Sequence, residues 1–239
     1  ADTGTRIHIA SGHYTNGLET FPLYPGYIRG IQLLGTNAAD TIVDVAGVTE
    51  RAITLAGNIG DGRIQNVSVT SGGDRRNVTG RGLYVSDSMI DIDSCNFTNL
   101  HIGTQKSRYG AALRADNSGG TITDTLFADN LYRNTQEDNC NGVACVLSSD
   151  NQFVIDRCRF INNTYETSKG GTAIHGMGLY CGGGDYDIRN CEFYRNRMTQ
   201  GDGATGEGLY IYESQTYATI ENCTIVSNGT SGVGIDNGG

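Results

Sequence analysis

The chain is short of what many folds and partners need. It has no tryptophan, 2 prolines and only two lysines, Lys106 and Lys169, in 239 residues. Charged residues make up 18% and the net charge is −9, so the basic stripe that nucleic acid or an anionic bilayer selects is missing. No run approaches the roughly 18 apolar residues of a membrane helix, so no membrane insertion is expected. The 35 glycines follow no G-X-Y period, which excludes collagen. Apolar residues recur at regular places, which argues against disorder. These absences leave a soluble, turn-rich, all-β chain. Its opening, Ala1-Asp2-Thr3-Gly4, is the kind of mature end that cleavage of a leader leaves.

Self-comparison gives the main signal. Ile92-Asp93-Ser94-Cys95-Asn96-Phe97, Ile155-Asp156-Arg157-Cys158-Arg159-Phe160, Ile188-Arg189-Asn190-Cys191-Glu192-Phe193 and Ile220-Glu221-Asn222-Cys223-Thr224-Ile225 nearly superimpose. Ile122 to Phe127 is a fifth copy with Thr125 in the cysteine place, and Ile64 to Val69 a fainter sixth with Val67 there. Successive places are 28, 30, 33, 33 and 32 residues apart. A glycine motif precedes each full copy: Gly82 to Val85, Gly110 to Leu113, Gly142 to Cys145, Gly178 to Cys181 and Gly208 to Ile211. An asparagine follows each: Asn99, Asn130, Asn163, Asn196 and Asn228.

Within each unit apolar and polar residues alternate, as in Ile90-Asp91-Ile92-Asp93, the period of half-buried strands. Strands this short bury an apolar face only by stacking on their counterparts in neighbouring units. Units of about 30 residues with two or three strands match one turn of a parallel β-helix, whereas a propeller blade takes roughly 40 residues and four strands. The pairing of Gly178-Leu179-Tyr180-Cys181 with Ile188 to Asn196 resembles the right-handed parallel β-helix repeats of the pectin-lyase-like superfamily. It is most similar to the branch of polymorphic outer-membrane proteins and other secreted surface proteins, and Ile7 to Tyr14 and Thr41 to Asp44 are similar to a first coil. The resemblance implies one solenoid of six to seven coils over 1–239. Residues 1–45 would be an opening coil, 46–231 the repeat coils and 232–239 the start of an unfinished one. It leaves activity open, since the same repeat serves lyases, hydrolases, epimerases and non-catalytic surface proteins.

Equivalent residues on successive coils lie about 4.8 Å apart, so the alignment reads as columns. Cys95, Cys158, Cys191 and Cys223 form an inward thiol ladder alternating with Phe97, Phe127, Phe160 and Phe193. A single-file row cannot surround an ion, so neither metal nor cofactor is expected there. Cys145 and Cys181 occupy the same motif place on adjacent coils and are the candidate disulfide, with Cys140 as the other partner for either. Asp156, Arg189 and Glu221 share an outward column that should form cross-strand pairs, while Asp91 and Asp187 fall on non-adjacent coils, unsuited to calcium. Tyr84, Tyr180 and Tyr210 share an outward place with Ala112 and Ala144 between them, and Tyr212 follows. Such rings either stack on a glycan or simply clothe a sheet.

The longest and most charged segments lie between each asparagine and the next glycine motif, and should project along one edge. Arg133, Lys169 and His175 are the residue types of a polysaccharide lyase, and Asp202 with Glu207 those of a glycoside hydrolase. Sequons begin at Asn66, Asn77, Asn96, Asn162, Asn222 and Asn228, with Asn77 and Asn162 the candidates for glycosylation if a eukaryote secretes the chain. Ser231 to Ile235 begins another glycine motif, which points to a piece of a longer protein or to ends that stack into a fibre. The leading expectation is a secreted or cell-surface, non-catalytic module for adhesion or assembly, its partner another copy, a longer chain or a polysaccharide. A carbohydrate-active enzyme or a glycan-binding module is the alternative.

Overall fold

A computed structural model describes residues 4–25, 28–57, 61–73, 75–76, 78–103, 109, 112–134, 140–148, 151–167, 174–199, 204–212 and 215–236. The chain winds as a parallel β-helix of about six turns, and every strand pairs in parallel with its counterpart one turn away. Three sheets wall the main core. The first runs from Arg6–Ile9 to Tyr217–Glu221 and the second from Gly12–Thr15 to Thr224–Val226, each with eight strands. The third, of seven strands, runs from Ile53–Ala56 to Val233–Asp236.

One coil shows the path. Leu83–Ser86 lies in the third sheet, Met89–Asp93 in the first and Asn96–Thr98 in the second. The corner between the first two walls turns on one left-handed residue per coil: Asn66, Ser94, Asp124, Arg157, Asn190 and Asn222, with φ between 49° and 58°. Asparagine and aspartate tolerate that conformation best. Arg157 does not share their preference, and its guanidinium bridges Asp124 at 2.7 Å and also meets Asp156. The residue after each turn points inward. Cys95, Cys158 and Cys191 are buried and Cys223 is half-buried.

The next inward column carries Phe97, Phe127, Phe160 and Phe193, whose rings stack at 5.3, 5.0 and 4.8 Å within 10° of parallel. Stacked aromatic pairs add roughly 0.5–1.5 kcal/mol each beyond the area they bury. A second left-handed corner follows at Asn99, Asp129, Asn162, Arg195 and Ser227. The residue after it begins a buried amide ladder of Asn130, Asn163, Asn196 and Asn228. Each Nδ2 donates to the Oδ1 one coil on, at 2.9, 2.8 and 3.0 Å, and the Oδ1 groups also accept backbone N–H groups. The same Nδ2 atoms reach the carbonyls of Phe97, Phe127, Phe160 and Phe193. Asn99, which follows its motif copy as the other asparagines do, is the corner residue, and Leu100 takes the inward place.

The segments beyond this corner hold two further sheets. Arg75–Arg76, His101–Ile102, Leu131–Asn134, Thr164–Thr167 and Arg197–Met198 form a fourth, and Cys140–Asn141, Ile174–His175 and Ala204–Thr205 a fifth. They enclose a second apolar cluster of Ile102, Tyr132, Val143, Tyr165, Ile174 and Met177. The charged segments expected to project freely are therefore, where described, walls of an annex. Lys106, Arg108, Glu137 and Asp138 lie outside the described residues.

The register corrects two columns. Leu83 pairs with Leu113, Leu113 with Cys145, and Cys145 with Leu179. Gly142 thus aligns with Gly80, Gly176 and Gly206, two residues before the glycines of the tyrosine-bearing motifs, and Leu113 falls two residues earlier than expected, Gly110 itself lying outside the described residues. Gly80, Gly142, Gly176 and Gly206 all turn at φ between 56° and 66°. Arg114 and Val146, not Ala112 and Ala144, separate Tyr84 from Tyr180. Cys181 pairs with Leu147, one inward place away from Cys145, and both thiols are free. The expected disulfide is not formed.

Candidate functional site

The outer face of the third sheet carries the tyrosine column. Arg51 lies 4.2 Å from the Tyr84 ring centroid, Arg114 sits over Tyr109 at 4.3 Å, and the Tyr84 hydroxyl donates to Asp116 at 3.1 Å. Further along, Tyr180 stacks on Tyr210 at 5.8 Å, Tyr212 leans on both, and the His175 ring covers Tyr210 at 4.2 Å. Tyr180 and Tyr210 are left only 4% and 3% exposed. Their faces are spent on each other and on the annex, so they do not offer the glycan platform the sequence suggested. Tyr84 and Tyr212 are half-buried.

His175 comes from the fifth sheet, and its Nδ1 lies 2.6 Å from the Thr205 hydroxyl. Burial lowers its pKa and the nearby Asp236 carboxylate only partly opposes this. Burial, followed by Asp236, pushes the Tyr210 phenol up to about 12, and its hydroxyl donates to Asp236 at 3.3 Å. A neutral imidazole on a neutral phenol fastens the annex to the sheet. Arg133, grouped with His175 in the lyase reading, lies on the fourth sheet opposite Glu166 and bridges it at 3.0 Å. Lys169 and Asp202, the other members of the two catalytic groupings, lie outside the described residues, as does Asn77. Asn162 is a corner residue donating to Asp129 at 2.6 Å.

Glu207 is 2% exposed. Its Oε1 accepts from the Met198 backbone at 3.0 Å, and its Oε2 from the Ser231 backbone at 3.0 Å and from the backbone and hydroxyl of Thr230. The pairing of Leu83, Cys145, Leu179 and Leu209 puts it in one column with Arg81, Val143 and Met177. Arg81 is also fully buried and donates to the carbonyls of His101 and Val45 at 2.7 and 3.0 Å. One guanidinium and one carboxylate thus bracket the apolar annex, each satisfying main-chain groups. Gly80-Arg81-Gly82 and Gly206-Glu207-Gly208 carry this symmetry in the sequence. The hydrolase reading of Glu207 is corrected accordingly, because a carboxylate committed to three backbone donors cannot approach a substrate.

In the outward column, Arg189 turns to Asp187 on its own strand at 3.1 Å, and Asp156 accepts from Asn190 at 2.7 Å. The stack of Asp156, Arg189 and Glu221 is real in register, but its partners lie beside it rather than along it.

The least satisfied surfaces are the two terminal coils. One aliphatic column runs without interruption through Ile7, Leu33, Ile64, Ile92, Ile122, Ile155, Ile188 and Ile220. Its inner members are buried, while Ile7 is 40% and Ile220 37% exposed. At the first end Ile7, Ile9, Tyr14, Leu23, Leu33 and Val43 line an open apolar mouth. At the other end Val226, Val233 and Ile235 are exposed, the last by 66%. The outward residues are Arg6, His8 and His13 at the first end, where Glu19 also lines the mouth, and Glu221 and Asp236 at the last. The geometry makes these ends the candidate interface.

No curated protein and no solved structure matches the chain. A family model described as "right handed beta helix region" matches residues 52–239. That span is more than half of the chain and contains the cysteine, phenylalanine and asparagine columns described above. The chain belongs to the right-handed β-helix family.

Proposed function

We propose that the chain is a non-catalytic, secreted or cell-surface β-helix module that builds length by adding coils end to end, its partner being another copy of itself. The observation that carries this reading is the isoleucine column exposed at both ends. Continuing the register by one coil seats Ile7 of one copy over Ile220 of the next, His8 over Glu221, and Tyr14 over Ile225. That contact buries apolar surface, supplies partners for the edge backbone groups of the outer strands, and sets the His8 imidazole against the Glu221 carboxylate. A head-to-tail contact that does not close on itself propagates into a filament. The surface-protein branch of pectin-lyase-like proteins suits this use, and the burial of Glu207 and the pairing of Arg133 support a structural over a catalytic role.

Light scattering and electron micrographs across a concentration series test it. Rods whose mass grows with concentration are expected, and Ile220→Asp should leave the fold intact and return the protein to monomers. A monodisperse monomer at every concentration overturns the proposal. So does turnover of an acidic polysaccharide that disappears when residues of the annex are replaced.

A further inference from the structure

The thiol ladder has one end that solvent can reach. Glu192 pairs with Thr224 and Arg189 with Glu221, so Cys191 and Cys223, equally placed between them, are stacked on adjacent coils. Cys158 stands behind Cys191 in the same way. Each Sγ lies between a carbonyl of its own coil and one of the preceding coil: Cys158 at 3.5 Å from Asp156 and 3.2 Å from Ile122, Cys191 at 3.0 Å from Arg189 and 3.6 Å from Ile155, and Cys223 at 3.3 Å from Glu221 and 3.6 Å from Ile188. Cys223 is half-buried and Cys191 behind it is buried. Parallel neighbours are separated by about 4.8 Å, inside the roughly 4.4–6.8 Å between Cα atoms that a disulfide spans.

We propose that Cys223 and Cys191 are an oxidisable pair that closes a cross-coil disulfide by exchange with a small-molecule disulfide and pins the outer coil to the one before it. The Cys223 thiolate attacks one sulfur of the reagent, whose S–S bond breaks and releases one thiolate. The Cys191 thiolate then attacks the Cys223 sulfur and displaces the second. Two protein thiols are oxidised by two electrons, the reagent disulfide is reduced to two thiols, and the two protons lost from Cys191 and Cys223 go to those products. Hydrogen bonds from Cys158 and, less, from Cys223 lower the Cys191 pKa against its burial, which favours the resolving thiolate. Burial raises that of Cys223, so attack on the reagent should be the slow step and should quicken as pH rises. Cys145 and Cys181 are fully buried and lie in different inward columns, which makes them internal controls.

The test is to treat the folded protein, at a dilution at which light scattering shows single chains, with oxidised glutathione, block residual thiols after unfolding, and map peptides by mass. A linked peptide pair containing Cys191 and Cys223 is expected, lighter by two hydrogens, with Cys145 and Cys181 still reduced. Amide exchange across Tyr217–Val226 should slow by on the order of tenfold, because local opening of that coil is now tethered. Cys223→Ser should abolish the link, and Cys191→Ser should trap glutathione on Cys223. Three results overturn the proposal. One is a stable mixed disulfide at Cys223 in the unaltered chain, another a link between Cys158 and Cys191, and the third an oxidised pair with unchanged exchange.

Discussion

The main core and the annex are built on opposite plans. In the core three columns repeat one kind of residue, aliphatics from Ile64 to Ile188, rings from Phe97 to Phe193 and amides from Asn130 to Asn228, while others, such as Ile90, Gly120, Phe153 and Tyr186, are mixed. In the annex the columns are mixed: Ile102, Tyr132, Tyr165 and Met198 share one, and Val143 and Met177 belong to another that also holds Arg81 and Glu207. The core stacks identical shapes at one coil spacing, so each residue type must satisfy its own copy above and below, as flat rings and primary amides do. The annex strands stack coil on coil in the same way, but their mixed side chains fill the space jointly rather than by copying one shape. Burial alone therefore does not impose repetition.

Substitutions that damage one region and spare the other sharpen this contrast. Phe160→Ala opens a gap between two stacked rings and should cost about 3–5 kcal/mol. The loss should be read as a lower denaturant midpoint shared by probes throughout the chain. Tyr165→Ala should cost less, about 2–3 kcal/mol, because the cluster it leaves is smaller and can close around the gap. Its amide exchange should quicken in Thr164–Thr167 and Ile174–His175 while Phe127 and Phe160 stay protected. Uniform loss of protection in both variants would show that core and annex unfold as one unit.

Asn163→Ala removes the amide between Asn130 and Asn196, leaving buried donors and acceptors without partners, and should cost about 2–3 kcal/mol. Asn163→Leu should be no better despite its apolar bulk, since the neighbouring amides remain; recovery in that variant would contradict the ladder's role. Glu207→Gln keeps the shape but loses charge-assisted bonds to Met198, Thr230 and Ser231, and should cost about 1–3 kcal/mol. The effect should appear first as faster exchange at the annex end near Met198.

The smallest effect is the acid sensitivity of His175. Its folded pKa is lowered, so below the ordinary histidine value of about 6.5 the unfolded chain takes up the proton more readily than the folded one. Stability should fall as pH drops from about 7 toward 5, and His175→Phe should flatten that slope while keeping the stack on Tyr210. An unchanged slope would assign the acid sensitivity to other groups.

The alternation around Ile92 and Ile155, the equal spacing of Cys95 to Cys223 and the phenylalanine two residues on made the core columns legible, because stacking demands like residues at fixed intervals. The corners were legible less directly, as recurring Asn and Asp, with Ser94, Arg157 and Arg195 showing that position and not residue type sets the left-handed turn. The glycine motif misled by two residues at Gly110 and Gly142, since glycines at both the turn and the strand start let either alignment look regular. That slip placed Cys145 beside Cys181, whereas Tyr180 and Tyr210 align correctly and their burial comes from the annex ring of His175 and from each other.

By itself, the sequence determined the repeat, the all-β winding and the inward columns, all of which follow from residues spaced by one turn. Only the tertiary structure decided that the segments carrying Arg133, His175 and Glu207 fold back as two more sheets, bury the tyrosines and turn charged residues into fastenings. Those contacts join positions that no period relates, and burial in them depends on which surfaces meet rather than on any local pattern.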